Sequence, residues 1–220
     1  MSIASEEQIL FDKLRANNPA VILDGVIDER EYLSARYRIV YILKEVNGGA
    51  GWDLREFVRN EHDKNKYGRP QTWDNIARWT QGILSWEAEL PWSELENDNE
   101  DRRRIFLKKI AAIYLKKTSG GHTSNVDEIY RATEEYSQVI QAQLDIYKPD
   151  IIICCGTAGP YVKHCYAGGE PEWKMTSRGI WYFLEGNTVV VSYSHPEART
   201  KDSLLYYGLM DAVKEILSKR

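Results

Sequence analysis

The apolar positions of this chain fall into short continuous blocks alternating with stripes at helical spacing. Ile39-Val40-Tyr41-Ile42-Leu43, after Arg38, is β-branched and apolar and ends abruptly in Asn47-Gly48-Gly49-Ala50-Gly51, which reads as a buried strand feeding a flexible loop. Ile151-Ile152-Ile153-Cys154-Cys155, after Asp150, has the unbroken apolar character of a parallel strand covered on both faces, and Gly156-Thr157 then opens a helix. Gly179–Leu184 and Thr188–Tyr193 read as paired strands joined by Glu185-Gly186-Asn187, the second leading into Ser194-His195-Pro196. Helical spacing marks residues 5–16, 28–36, 53–62, 72–86, Val126–Tyr147 and Ser203–Leu217. The second of these is opened by the turn Asp24-Gly25 and by acids at Asp28, Glu29 and Glu31. Val126–Tyr147 carries the clearest stripe (Ile129, Ala132, Tyr136, Val139, Ile140, Leu144, Tyr147) and stops before Pro149. Gly68 and Pro70 break the pattern over Lys64–Pro70, and the acidic stretch 87–101 reads as irregular. Ile105–Lys117 fits either a helix to Lys109 followed by a strand over Ile110–Leu115, or helix throughout.

Strands alternating with helices predict a layered α/β sheet with helices on both sides. The whole chain, 1–220, reads as one such domain, with residues 1–37 as a helical N-terminal wrapper. In sheets of this kind the site lies at the carboxyl ends of the strands. Asn47–Gly51, Thr118–Gly121 and Ser194–Arg199 all follow predicted strands and are expected to converge there.

Composition narrows the class. Hydrophobic residues are 43% and charged residues 28%, ordinary globular usage that argues against disorder. No apolar run approaches the roughly 20 residues needed to span a bilayer, and MSIASEEQIL lacks a signal-peptide pattern, so a cytoplasmic protein without a membrane partner is expected. The three cysteines, Cys154, Cys155 and Cys165, sit in or beside buried elements, and disulfides are not expected. His164 and Cys165 are adjacent on a helix and diverge, and no CxxC pair exists, so no metal is expected. A net charge of −4 argues against non-specific coating of nucleic acid. It leaves open a local groove built from Arg102–Arg104, Lys108, Lys109, Lys116 and Lys117, or equally a solvated helix face. GxGxxG and P-loop patterns are absent, since Gly48-Gly49-Ala50-Gly51 has no lysine to cradle phosphate.

Three pieces carry a resemblance: Leu43-Lys44-Glu45-Val46-Asn47-Gly48 after the first strand; Lys148-Pro149-Asp150 through Gly156-Thr157-Ala158; and Val189-Val190-Val191-Ser192-Tyr193-Ser194-His195-Pro196-Glu197-Ala198-Arg199. In order and spacing they resemble the uracil-DNA glycosylase superfamily over about residues 38–217. Its members show a strand ending in a GEAPG, GINPG or GQDPY motif, a "P-x-hydrophobic-G-x-x-A" strand and helix, and a last strand ending in HPS. The resemblance implies a three-layer α/β/α fold with a central, mostly parallel four-stranded sheet, and a DNA partner, single- or double-stranded. It also implies a monomer that removes an altered base such as uracil from a flipped nucleotide, without a cofactor or, given the missing cysteines, an iron–sulfur cluster.

Base excision passes through a cation-like sugar and an anionic leaving base, so a polar group that orients water and a neutral donor to the base are needed. By resemblance His195 is the donor, and Ser194, Pro196 and Arg199 hold the nucleic acid. Two overlays of the first motif stay open: one makes Glu45 the acidic residue, the other makes Asn47 the water-positioning amide, with Gly48 beside the substrate in either. Trp52 and Phe57 are candidates to stack on the base, and Lys117 lies where the middle strand runs into its loop. The chain departs from the family where the middle strand lacks the asparagine that reads uracil and where HPS becomes His195-Pro196-Glu197. Two further readings therefore stand beside hydrolysis: a nucleic-acid-binding module of the same fold that does not cleave, and an enzyme acting on free nucleosides or nucleotides.

Overall fold

The computed structural model describes residues 1–60, 70–121 and 123–219. Its helices are α1 (Ile3–Asn17), α2 (Glu29–Ser34), α3 (Leu54–Asn60), α4 (Gln71–Leu84), α5 (Trp92–Leu95), α6 (Asn99–Phe106), α7 (Val126–Tyr147), α8 (Ala158–His164) and α9 (Asp202–Leu217). Its strands are β1 (Gly25–Val26), β2 (Ile39–Leu43), β3 (Ile110–Tyr114), β4 (Ile151–Cys155), β5 (Lys174–Met175), β6 (Trp181–Glu185) and β7 (Thr188–Tyr193). The end of the helix expected over 53–62, and the break expected at Lys64–Pro70 apart from Pro70, lie outside the described residues.

The sheet is mixed and seven-stranded, in the order β1-β3-β2-β4-β7-β6-β5. Its centre is parallel: β2 pairs with β3 on one side and β4 on the other, and β4 pairs with β7. Antiparallel β1 extends one edge, and the antiparallel pair β6 and β5 extends the other. The expected count of four strands is therefore too low. The two-residue strands β1 and β5 are too short to print a period-two pattern, and only pairing with a neighbour makes them strands.

Central strands buried on both faces explain the continuous apolar runs. Alternate residues of β2 face opposite layers: Ile39, Tyr41 and Leu43 pack with Leu54, Trp73, Ile76, Trp79 and Leu209, from α3, α4 and α9. Val40 and Ile42 pack with Ile129, Tyr136 and Ile140 of α7, Ile3 of α1 and Tyr161 of α8. Helices thus cover both faces. Helix α7 keeps its expected bounds because Asn125 caps its start, accepting from the N–H of Glu128, and Lys148 leaves it in the left-handed region at φ 47° ahead of Pro149.

The region 1–37 contains the two helices α1 and α2 and also supplies β1 between them. Gly25 lies against the Tyr147 hydroxyl and the Glu7 carboxylate, where any β-carbon would clash. The stretch 87–101 is more ordered than expected and contains α5 and the start of α6. Arg102 donates to the carbonyls of Glu94, Leu95 and Asn97, and Arg78 to the Leu95 carbonyl and to Asn99, so a segment without apolar periodicity is held by two guanidiniums. Arg102 and Arg103 are buried, Arg103 against Asp74, and do not form a basic groove. Trp86 and Trp92 are partly buried against the core, Trp92 beneath the Arg78 guanidinium. Cys154, Cys155 and Cys165 are free and buried. Among the described residues no helix is long and apolar enough to cross a membrane.

Candidate functional site

Strand β2 connects to β3 on one side while β4 lies on its other side, so the carboxyl ends of β2 and β4 flank a crevice where the strand order reverses. The loops after β2, β3, β4 and β7 meet there. The ladder between β2 and β3 continues beyond both strands: Leu115 N–H donates to Leu43, Lys116 N–H to Lys44 and Gly120 N–H to Val46, at 2.8–3.0 Å. Asn47 and Gly120 form an isolated parallel bridge. On the other side, the Thr157 hydroxyl donates to the Ile42 carbonyl at 2.8 Å and Gly156 N–H to the Tyr193 carbonyl at 2.7 Å. The turn after β4 is thereby tied to both β2 and β7. Gly156 has φ +70°, and a β-carbon on it would lie 3.6 Å from Lys44 Cε and 3.8 Å from the His195 nitrogen, so these three residues stand side by side.

His195 is half-buried. Its Nδ1 accepts the backbone N–H of Glu197 at 3.1 Å, which places the proton of the neutral ring on Nε2 and makes that atom a donor. Burial pushes the imidazole below its ordinary pKa; Glu197 opposes this and the Lys44 ammonium adds to it, so the ring is neutral at neutral pH.

Helix α4 holds this loop in place. Asn75 donates to the Pro196 carbonyl at 2.8 Å and to Asp202 at 2.9 Å, and the Thr72 hydroxyl donates to Glu197 at 2.7 Å. Arg78 braces Asn75, donating to its side-chain oxygen at 2.8 Å and to the Leu95 carbonyl at 2.9 Å. None of Thr72, Asn75, Arg78 and Asp202 was expected at the site. The available signal was Asn75 and Arg78, two polar residues three apart within a helix whose neighbouring residues Ile76, Ala77 and Trp79 are apolar.

The other expected residues separate. Glu45 is placed at the site, but its side chain is only 5% exposed and its carboxylate is paired with Lys116 at 3.0 Å; Lys116 also pairs with Glu128 at 2.5 Å. Asn47 and Gly48 are exposed on the loop, Gly48 at φ +84° with open space around it. Ser194 and Arg199 are exposed and Pro196 is buried. Trp52 and Phe57 are half-buried and in edge contact, ring centres 5.6 Å apart, packed against the core rather than standing free. Lys117 is a correction. Its side chain is fully buried, donating to both carboxylate oxygens of Asp24 at 2.8 Å and to Gln143 at 2.7 Å, so it braces the N-terminal wrapper and is not available to a ligand. Adjacent lysines at a strand end point to opposite sides, and only the fold reveals which is inside.

Among the described residues no three His, Cys, Asp or Glu side chains gather as a metal site would require. Comparison of the chain with protein-family models finds no matching family, and comparison with curated proteins finds no significant match.

Proposed function

We propose that this protein hydrolyses the N-glycosidic bond of a flipped nucleotide bearing an altered base, uracil or a related deaminated base, in DNA. The observation that carries the reading is the state of His195: neutral, with Nδ1 occupied by the Glu197 N–H and Nε2–H free to donate, beside the loop that follows β2. In the reaction the C1′–N bond breaks and its electron pair leaves on the base. Water oxygen adds to C1′, and the proton that water loses balances the one the departed base gains. His195 Nε2–H stabilises charge developing on a base oxygen, a role that needs the neutral ring's donor and no change in its protonation. Of the two first-motif groups, Asn47 is favoured to orient the water. The Glu45 carboxylate is buried and already neutralised by Lys116, a poor state for a base. Trp52 and Phe57 are the first two aromatic residues downstream of that motif, and Ser194 and Arg199 offer exposed polar contacts to the strand.

That same ion pair favours a second reading, a nucleic-acid-binding module that does not cleave, because it removes the one carboxylate the first motif supplies. Base release from duplex and single-stranded oligonucleotides carrying uracil, hypoxanthine or xanthine decides between them. Under hydrolysis, His195→Ala lowers release by about 10²–10³-fold and Asn47→Ala also lowers it, with folding intact. Salt-sensitive binding without release from any strand would select the module.

A further inference from the structure

The loop after β2 is held at both ends and exposed in the middle. At its start the Lys44 and Val46 carbonyls accept the N–H groups of Lys116 and Gly120, which continue the ladder to β3. At its end the supports come from the N-terminal segment. Gly51 N–H donates to the Ala20 carbonyl at 3.0 Å, Leu23 N–H to the Trp52 carbonyl at 3.0 Å and Leu54 N–H to the Leu23 carbonyl at 2.8 Å. The Arg15 guanidinium, in the last turn of α1, donates to the Gly51 carbonyl at 3.1 Å. Between the two ends residues 47–50 are exposed, with Gly48 and Gly49 at φ +84° and +76°. Two glycines have no side chains with which to pack, so the turn depends on what its ends and neighbours hold. One such neighbour is Trp52, whose Nε1 lies 2.7 Å from where a β-carbon on Gly49 would stand.

The segment 19–23 that supplies these bonds runs as a strap between two loops, since Ile22 N–H donates to the Lys117 carbonyl after β3 at 2.7 Å. Its apolar residues stand apart from the two layers beside the sheet. Phe11, Val21 and Leu23 form a cluster of their own, with Leu10 and Leu14 packed against it. Phe11 also lies against the Arg55 guanidinium, 4.9 Å from its ring centre, and Arg55, in α3, pairs with Glu7 of α1 and with Asp53. A satellite cluster of this size can loosen while the sheet stays folded. The strap also crowds the loop directly: a β-carbon on Gly51, which has φ +68°, would lie 2.9 Å from the Pro19 carbonyl oxygen.

We infer that the N-terminal segment is a working part of the site: Arg15 and the strap 19–23 are positioning residues that set where the Asn47–Ala50 turn stands. They act through Gly51 and Trp52 and touch no substrate. The consequence for catalysis rests on the glycosidic reading above, in which Asn47 orients the water; the tether itself does not. An amide that must hold water over C1′ loses its effect when its backbone wanders, so a slack strap lowers the rate of the chemical step more than it weakens substrate binding.

The test compares the full chain with Arg15→Met, Arg15→Lys and Phe11→Leu by NMR relaxation and by base release from oligonucleotides. Arg15→Met removes the donor to Gly51, Arg15→Lys keeps one, and Phe11→Leu loosens the satellite cluster without altering a residue of the loop. In Arg15→Met and Phe11→Leu the backbone order parameters over 47–52 are expected to fall towards about 0.6, while those of β2 and β3 stay near about 0.85. Arg15→Lys is expected to restore most of the order. The kcat of base release is expected to fall about tenfold in the two loosened variants, with KM changed less and the His195 ring signals unmoved. Order over 47–52 equal to the wild type in both variants, loosening that spreads equally into β2 and β3, or an undiminished kcat with a loosened turn overturns the inference. Loosening confined to 47–52, in a protein whose wild type releases no base from any oligonucleotide, leaves the tether standing and removes the glycosidic reading alone.

Discussion

The Glu45 carboxyl group occupies the place that a β-carbon on Gly120 would need, and Lys116 holds it there at 3.0 Å. Two loops from neighbouring strands are therefore interlocked by a carboxylate lying on bare backbone, with Gly120 N–H returning to the Val46 carbonyl at 2.8 Å. Gly120→Ala is expected to force the carboxylate out and to cost about 1–3 kcal/mol in urea-induced unfolding. A variant as stable as the wild type would show that the carboxylate has an equally good alternative place.

Lys117 and Asp24 are a buried ion pair, and removing one partner strands the other. Lys117→Met is expected to lose about 3–5 kcal/mol by denaturant titration. The double variant Asp24→Asn/Lys117→Met is expected to recover part of that loss, because no charge is left uncompensated. A loss confined to ligand binding, with stability intact, would instead return Lys117 to the site.

The lowered pKa of His195 has a signed consequence. Between the folded value and about 6.5, the ordinary histidine value, the unfolded chain binds more protons than the folded one. Stability from this group is thus fully present above that ordinary value and falls as pH drops towards the folded value. Activity that depends on a neutral ring is expected to persist below pH 6.5 and to fail only at the lower pKa. An NMR titration of the ring checks the direction, and a midpoint above the ordinary value contradicts it.

Asn75 and Arg78 act on the site through Pro196 and the loop it anchors. Asn75→Ala removes the donor to the Pro196 carbonyl and one of several acceptors of Arg78, and is expected to cost about 1–3 kcal/mol. By loosening His195 it is also expected to lower base release by about tenfold to a hundredfold. Release falling without any change in the His195 ring signals would disconnect the two.

Much of this architecture is legible along the chain. The apolar runs at 39–43 and 151–155 and the stripe of α7 reflect burial on two faces and on one face, and such burial must be written locally, residue by residue. The meeting of the 44–51, 118–121 and 194–199 loops follows from parallel strands alone, since their carboxyl ends share one edge of the sheet. What the tertiary structure decided is the assignment of charge. Lys44, Lys116 and Lys117 are one residue type within a few positions of two strand ends, yet among the described residues one has no ion-pair partner, one is shared by two carboxylates and one is sealed inside. The partner that seals Lys117 is 93 residues away, and the one that restrains Glu45 is 71 away. Propensity and periodicity act over a turn or a pleat. The energy of a charge depends on which side of the sheet it enters and on what distant segment meets it there.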